Sequence, residues 1–292
     1  MTITTDQIVI DKPGIYDMPA DGYHRDPVPG GSLSSSGARR LLPPSCPALF
    51  RYEQDHGQGH KKVWDYGHAA HHMVLGTGPE LRVADVEEWR TKEARDFKAA
   101  AYDDGAVPLK RAEYEQVLAM AAVLRRHPVA SALFDPKRGG RPEQSLFWKD
   151  KATGVNLRAR LDWLPAQGPG RFIVPDYKTA HDVSPEGIQK AVHQHGYHQQ
   201  APWYLDGVKA LGLAEDPAFV FVFQQKTPPY IVTVIQLDQV AMEIGRELNR
   251  DAISLYRECK RSGRWPAFSD EIELIQLPAW AEKQHERMKE SA

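Results

Sequence analysis

The sequence predicts an α/β fold with a mixed central β-sheet flanked by helices, and three observations carry that expectation. Residues 155–164 alternate: Val155, Leu157, Ala159, Leu161 and Trp163 share one face, while Asn156, Arg158, Arg160 and Asp162 share the other. That is the period-two pattern of a half-buried strand. Apolar stretches at 171–178, 218–224 and 230–236 read as further strands. Between and around them lie segments with helical spacing and helix-start residues. The resulting order is helices, three strands, a helix, two strands and a helix, which implies a mixed sheet with helices on its faces.

Residues 1–30 are rich in Pro, Gly and Asp and are expected to form an extended arm, with at most one short strand around 7–10. Serines at 32 and 34–36 precede an Ala/Arg/Leu run, predicting an N-cap and a short helix that Pro43 and Pro44 end. Residues 64–75 read as a helix despite Gly67, and two more helices are expected near 86–101 and 109–127. Residues 143–149 start the strand region. The turn Gln167-Gly168-Pro169-Gly170 then links the strands at 155–164 and 171–178, which are expected to pair as an antiparallel hairpin. Ser184-Pro185-Glu186 gives the N-cap and first turn of a helix running toward Gly212. Pro202 is expected to kink or break it near its middle. Asp238 is the expected cap of a long amphipathic helix ending at Ser262, and the tail from Trp265 ends in a polar helical segment. The predicted organisation is an arm over 1–30, one main domain over 31–270 and a tail over 271–292.

Bulk properties narrow the function classes. A chain of 292 residues can bury a substantial core, and 41% apolar with 26% charged residues is ordinary for a soluble globular protein. No run of about 18 apolar residues occurs, so no membrane partner is expected. The start, MTITTDQIVIDKPG, lacks the basic and apolar regions of a signal peptide, which makes the cytoplasm the expected location. Two cysteines, Cys46 and Cys259, are too few for a disulfide scaffold or a four-cysteine iron–sulfur cluster. The formal net charge of −2 neither points to nucleic acid nor excludes it, because carboxylates that hold a metal offset basic residues elsewhere.

The chemistry concentrates at Asp176-Tyr177-Lys178, which ends the apolar strand Phe172-Ile173-Val174. Alternation places Asp176 and Lys178 on one face and Tyr177 on the other. Asp162 ends the preceding strand on its polar face. An isolated Asp-x-Lys is commonly a surface ion pair, but a second carboxylate from a neighbouring strand changes its meaning. Two carboxylates that approach one another repel unless a cation lies between them. Mg²⁺, with Mn²⁺ as the alternative, accepts one or two carboxylates, a carbonyl and waters. A lysine beside it orients water or stabilises a charged phosphoryl transition state, so the pattern points to metal-assisted phosphodiester hydrolysis. Arg158 and Arg160 share the face of Asp162 and serve either phosphate contact or charge balance. His68, His71 and His72 have the spacing of a metal-binding helix face, yet no downstream Cys/His cluster completes a zinc site. His193, His195 and His198 read as solvent or packing residues, and Trp148 and Trp163 as core.

The order of these segments resembles the PD-(D/E)xK nuclease superfamily, with its restriction-endonuclease-like core. It is most similar to the nuclease domain of exodeoxyribonuclease VIII (the RecE type) and its phage relatives. The resemblance runs over roughly residues 30–270. It is carried by Ser34-Ser35-Ser36-Gly37-Ala38-Arg39, Cys46-Pro47-Ala48-Leu49-Phe50, Gly67-His68-Ala69-Ala70-His71, the strand with Glu143, GVNLRARLDWL at 154–164, Pro175-Asp176-Tyr177-Lys178-Thr179 and Gln200-Ala201-Pro202-Trp203-Tyr204. It implies that Asp162, Asp176 and the Tyr177 carbonyl bind metal and that Lys178 positions or activates water. His71 would approach a second metal position or the scissile phosphate. Gln200 and Tyr204 would steady Lys178 or the DNA backbone, and Glu143 would be a ligand or would orient one.

The resemblance further implies a DNA exonuclease acting 5′→3′ from double-stranded ends in phage-type recombination or repair. A ring-shaped homo-oligomer and a single-strand annealing protein partner come with it. Two other readings stand beside this one. The first is a CRISPR-adaptation-type or repair nuclease acting on single strands or flaps. The second is a catalytically silent DNA-binding module of the same fold, against which the intact Asp162, Asp176 and Lys178 argue.

Overall fold

Each strand in the middle of the chain finds a partner that its side-chain pattern suits. The computed structural model describes residues 8–57 and 63–290. The first half comprises β1 (Gly14–Asp17), α1 (Ala20–His24), β2 (Leu33–Ser34), α2 (Ser35–Leu41), α3 (Pro47–His56), α4 (Val63–Leu75), β3 (Leu81–Ala84), α5 (Lys92–Asp103), β4 (Val107–Lys110), α6 (Arg111–Arg126) and α7 (Ala130–Leu133). The second half comprises β5 (Arg141–Lys149), β6 (Asn156–Leu164), β7 (Ile173–Ala180), α8 (Pro185–His195), α9 (Tyr197–Ala210), β8 (Ala218–Gln225), β9 (Val232–Ile235), α10 (Gln239–Ser262) and α11 (Ala279–Glu290). None of the described helices is long and apolar enough to cross a membrane.

Strands β5 and β6 form an antiparallel hairpin, with β1 antiparallel on the outer edge of β5 and β2 parallel on β6. Strands β7 and β8 pair in parallel over eight residues, and β9 adds antiparallel to β8. The α8–α9 segment is the crossover that a parallel pair requires. The sequence of β8, AFVFVFQQ, is apolar on both faces because both faces are covered. Phe219, Phe221 and Phe223 enter one core with Trp203, Leu161 and Ile253. Val220 and Val222 enter a second core with Tyr177, Met120 and Leu109. Full burial of each such side chain contributes about 1.5–3 kcal/mol. A small parallel pair, β3 and β4, was not anticipated from the sequence. Its four-residue strands are too short to show a period.

Three expectations require correction. The strands at 155–164 and 171–178 do not pair as a hairpin, since β6 is flanked by β5 and β2 while β7 is paired with β8. Strands β6 and β7 are instead linked by a side chain, the Tyr177 N–H donating to Asp162 Oδ2 at 2.7 Å. The helix after Ser184 breaks at Gly196 and not at Pro202. Gly196 takes φ 68°, and its amide closes the last turn of α8 onto His193 O. Pro202 sits inside α9, where it offers no N–H to His198 O. Helix α10 accommodates that carbonyl: Gly245 packs so closely that a Cβ there would run into His198 O, and Asn249 Nδ2 donates to Gln199 O at 2.9 Å.

The third correction concerns the N-terminal segment. Ile8, Val9 and Ile10 form no strand, and Gln7 lies outside the described residues. The strand falls instead at Gly14–Asp17, followed by α1, and Ile10, Met18 and Tyr23 pack with Phe147. Arg158 ties the segment to β6 through Asp26 Oδ2 at 2.6 Å and Ser32 O at 2.8 Å. The expected caps hold: Ser34 Oγ accepts from Gly37 N, Ser184 Oγ from Gly187 N, and Asp238 Oδ1 from Ala241 N.

Candidate active site

The parting ends of β6 and β7, roofed by α4 on one side and α9 on the other, gather most of the expected residues. Alternation along β7 sends Asp176 and Lys178 toward α9 and Tyr177 toward α4. Asp176 is 1% exposed. Its Oδ1 accepts from Gln200 Nε2 at 2.7 Å, and its Oδ2 lies 2.6 Å from Lys178 Nζ. Asp162 Oδ2 lies 3.7 Å from His71 Nδ1 as well as accepting from Tyr177 N. The His71 ring meets the Tyr177 ring edge-on at 5.2 Å, and the Tyr177 hydroxyl donates to Gln224 Oε1 at 2.7 Å. Tyr204, one turn beyond Gln200, shares a side-chain hydrogen bond with it.

Glu143 stands apart from these contacts. The β5–β6 register runs Pro142↔Trp163 and Gln144↔Leu161, which sets Glu143 opposite Asp162 where the pairing lapses. Its φ of 54° is rare for a side-chain-bearing residue and marks local backbone strain. Its carboxylate is engaged by Arg160 Nε at 2.6 Å. Of the two arginines on this face, Arg160 pairs with Glu143 and Arg158 with Asp26. The backbone of Tyr177 meets Asp162 through its N–H.

One contributor was missed in the sequence. The Lys178 ammonium lies 5.0 Å from the centroid of the Tyr197 ring. A signal was available, because Tyr197, Gln200 and Tyr204 fall at i, i+3 and i+7 on one helix face. His68 is exposed, and His72 Nδ1 is buried without a partner.

The electrostatics are those of an under-compensated acidic cluster. Burial, eased by Lys178, pushes Asp162 up to about 6, with Glu143 raising it further. Burial likewise pushes Asp176 up to about 6, against Lys178 and with the added repulsion of Asp162. Burial draws the Lys178 ammonium down, but Asp176, Tyr197 and Asp162 outweigh it and hold the group above the usual lysine range. Burial and then the Lys178 charge lower His71 to about 4, so its ring is neutral near pH 7.

Two buried carboxylates, both raised by burial and sharing a single lysine, fit a hard divalent cation that keeps several waters. Among the described residues no group of three or more His, Cys, Asp or Glu side chains is arranged to hold a metal.

A mixed α/β fold that sets an aspartate from one strand beside the Asp-x-Lys of another, here linked by the Tyr177 N–H, matches the PD-(D/E)xK class. The chain belongs to the family described as a PDDEXK-like domain of unknown function (DUF3799), whose model matches residues 52–278. The resemblance read from the motifs and the expected mixed α/β fold are both shown. Among solved structures, one described as "Putative exonuclease" from Eubacterium rectale is 12% identical, with a TM-score of 0.57, covering 92% of this chain and 98% of its own. It shares the fold. A "phage related exonuclease" from Haemophilus somnus 129PT is 11% identical over 80% of this chain and 96% of its own, with a TM-score of 0.29. No curated protein matches the chain.

Proposed function

We propose that this protein is a Mg²⁺-dependent deoxyribonuclease, with Mn²⁺ able to substitute, that hydrolyses phosphodiester bonds from DNA ends. The observation that carries the proposal is the convergence of Asp162, Asp176 and Lys178 into a buried cluster whose negative charge a single lysine does not balance. Asp162 and Asp176 would hold the cation, with the Tyr177 carbonyl as a further ligand. When bound, the cation polarises the phosphate and acidifies water. Gln200 fixes one oxygen of Asp176 and leaves the other facing Lys178. Lys178, held above the usual lysine range by Asp176 beside it, would position or activate the attacking water and stabilise charge on the phosphate. His71, neutral, presents its ring beside Asp162 for the second metal position or the scissile phosphate. Tyr204 would steady Gln200, and Glu143, paired with Arg160 across from Asp162, would be a ligand or would orient one.

The narrower assignment rests on the resemblance to the RecE type. It is 5′→3′ digestion of double-stranded ends by a ring-shaped homo-oligomer in the cytoplasm. A single-strand annealing protein would be its partner in phage-type recombination or repair. Linear duplexes labelled at either the 5′ or the 3′ end, offered blunt, overhanging and as flaps, test it. Early release of the 5′ label from blunt ends is the expected result. Preference for flaps or single strands would favour a repair-type nuclease instead.

A further inference from the structure

The break between α8 and α9 places an aromatic ring beneath the lysine of the Asp-x-Lys motif. Gly196 turns the chain at φ 68°, and a Cβ at that position would crowd Arg39 Cδ. Arg39 also donates to His195 O. Helix α9 therefore begins at Tyr197, on the face that carries Gln200 and Tyr204. The ring is held by packing: Phe221 lies 5.4 Å away, Phe223 5.9 Å and His195 5.4 Å between centroids. Lys178 Nζ stands 5.0 Å from its centroid, within the range of a cation–π contact.

We propose that Tyr197 is a positioning residue that acts through Lys178, its ring face holding the ammonium in place beside Asp176. This rests on the nuclease reading above and deepens it. A lysine is a point charge on a flexible four-carbon stem, and one ion pair leaves it free to swing. Asp176 Oδ2 at 2.6 Å and the Tyr197 face at 5.0 Å fix it from two sides. The aromatic contact is also the one that persists when a divalent cation draws on the charge of Asp176. The face of the ring, and not its hydroxyl, is what this role requires.

The test pairs a spectroscopic readout with kinetics on the full chain. In protein carrying 13Cε-labelled lysine, the Lys178 ε-CH₂ signal, assigned by its loss in Lys178→Arg, is expected to be shifted upfield by the ring current. The shift should persist in Tyr197→Phe and Tyr197→Trp and vanish in Tyr197→Leu. With linear duplex and Mg²⁺, Tyr197→Leu should lower kcat about tenfold at unchanged KM, as expected for a contact of this class. Tyr197→Phe should stay within about twofold of wild type on the same basis. An unshifted Lys178 signal in wild type overturns the proposal, as does a Phe variant as impaired as the Leu variant. A wild type that cleaves no DNA defeats the nuclease reading, while the ring-current comparison still decides the Tyr197–Lys178 contact. The Trp variant keeps that comparison available if Tyr197→Leu does not fold.

Discussion

Gln200 Nε2 reaches from α9 to Asp176 Oδ1 at 2.7 Å, so the carboxylate is fixed through one oxygen while the other remains toward Lys178. Because Asp176 is 1% exposed, no bulk water replaces a donor that is removed. Gln200→Leu should cost about 1–3 kcal/mol of stability, the penalty of leaving a buried acceptor without its donor. Urea unfolding measures the loss. Calorimetry should show weaker Mg²⁺ binding as well, since the carboxylate is no longer oriented; unchanged affinity would deny Gln200 that orienting part.

Asp162→Asn should act in the opposite direction on the metal-free protein. Asparagine keeps an acceptor for Tyr177 N and removes one of the charges that burial and Glu143 disfavour. Its metal-free stability should rise by on the order of 1 kcal/mol, since one pKa unit corresponds to about 1.4 kcal/mol. The gain in Tm that Mg²⁺ gives the wild type should disappear. A variant less stable than wild type without metal would mean that the acidic cluster is compensated.

Gly245→Ala reverses the ordinary helix rule. Alanine normally stabilises a helix interior relative to glycine by about 1 kcal/mol. Here the added methyl would collide with His198 O. The substitution should destabilise by about 3 kcal/mol through overpacking, read from the urea midpoint at unchanged slope.

Asp150 governs a predictable acid response. Burial alone would raise its pKa, but hydrogen bonds from Thr153 and Arg250 outweigh it and hold the carboxyl below its usual range. A depressed folded pKa means the stabilisation is present above the unfolded value, near 3.9, and is lost as pH falls through the lower folded value. Asp150→Asn should therefore be less stable than wild type at pH 7, with the gap closing below about pH 4. A pH-independent gap would locate the effect in packing.

Much of the fold was legible because burial imposes period. Leu157, Ala159 and Leu161 alternate since one face of β6 packs with Trp203 and Leu146, although Trp163, expected on that face, packs with Phe134 in the other core; caps at Ser34, Ser184 and Asp238 announce themselves by residue type. The false hairpin shows the limit of local reading. A Gly/Pro turn between two strands suggests pairing, but β7 lies in parallel register against the apolar β8, a partner that the local turn does not announce. Pro202 misled for a related reason: whether a helix tolerates proline depends on what meets the freed carbonyl, and Gly245 is over forty residues away. At the site, Asp162, Asp176, Lys178, His71 and Gln200 are brought together. The strain at Glu143 and the ring beneath Lys178 depend on backbone geometry and on where α9 begins, neither of which residue type alone announces.

The central claim is that Asp162, Asp176 and Lys178 form a metal-dependent phosphodiesterase centre. End-labelled linear duplex incubated with Mg²⁺ tests it most directly, with wild type, Asp176→Ala and Lys178→Ala side by side and EDTA as control. The account predicts degradation by wild type, its abolition by EDTA, and a loss of about 10²–10³-fold or more in each variant, the scale of removing an electrostatic contributor from a transition state. An inert wild type, or activity that survives Asp176→Ala, would contradict it.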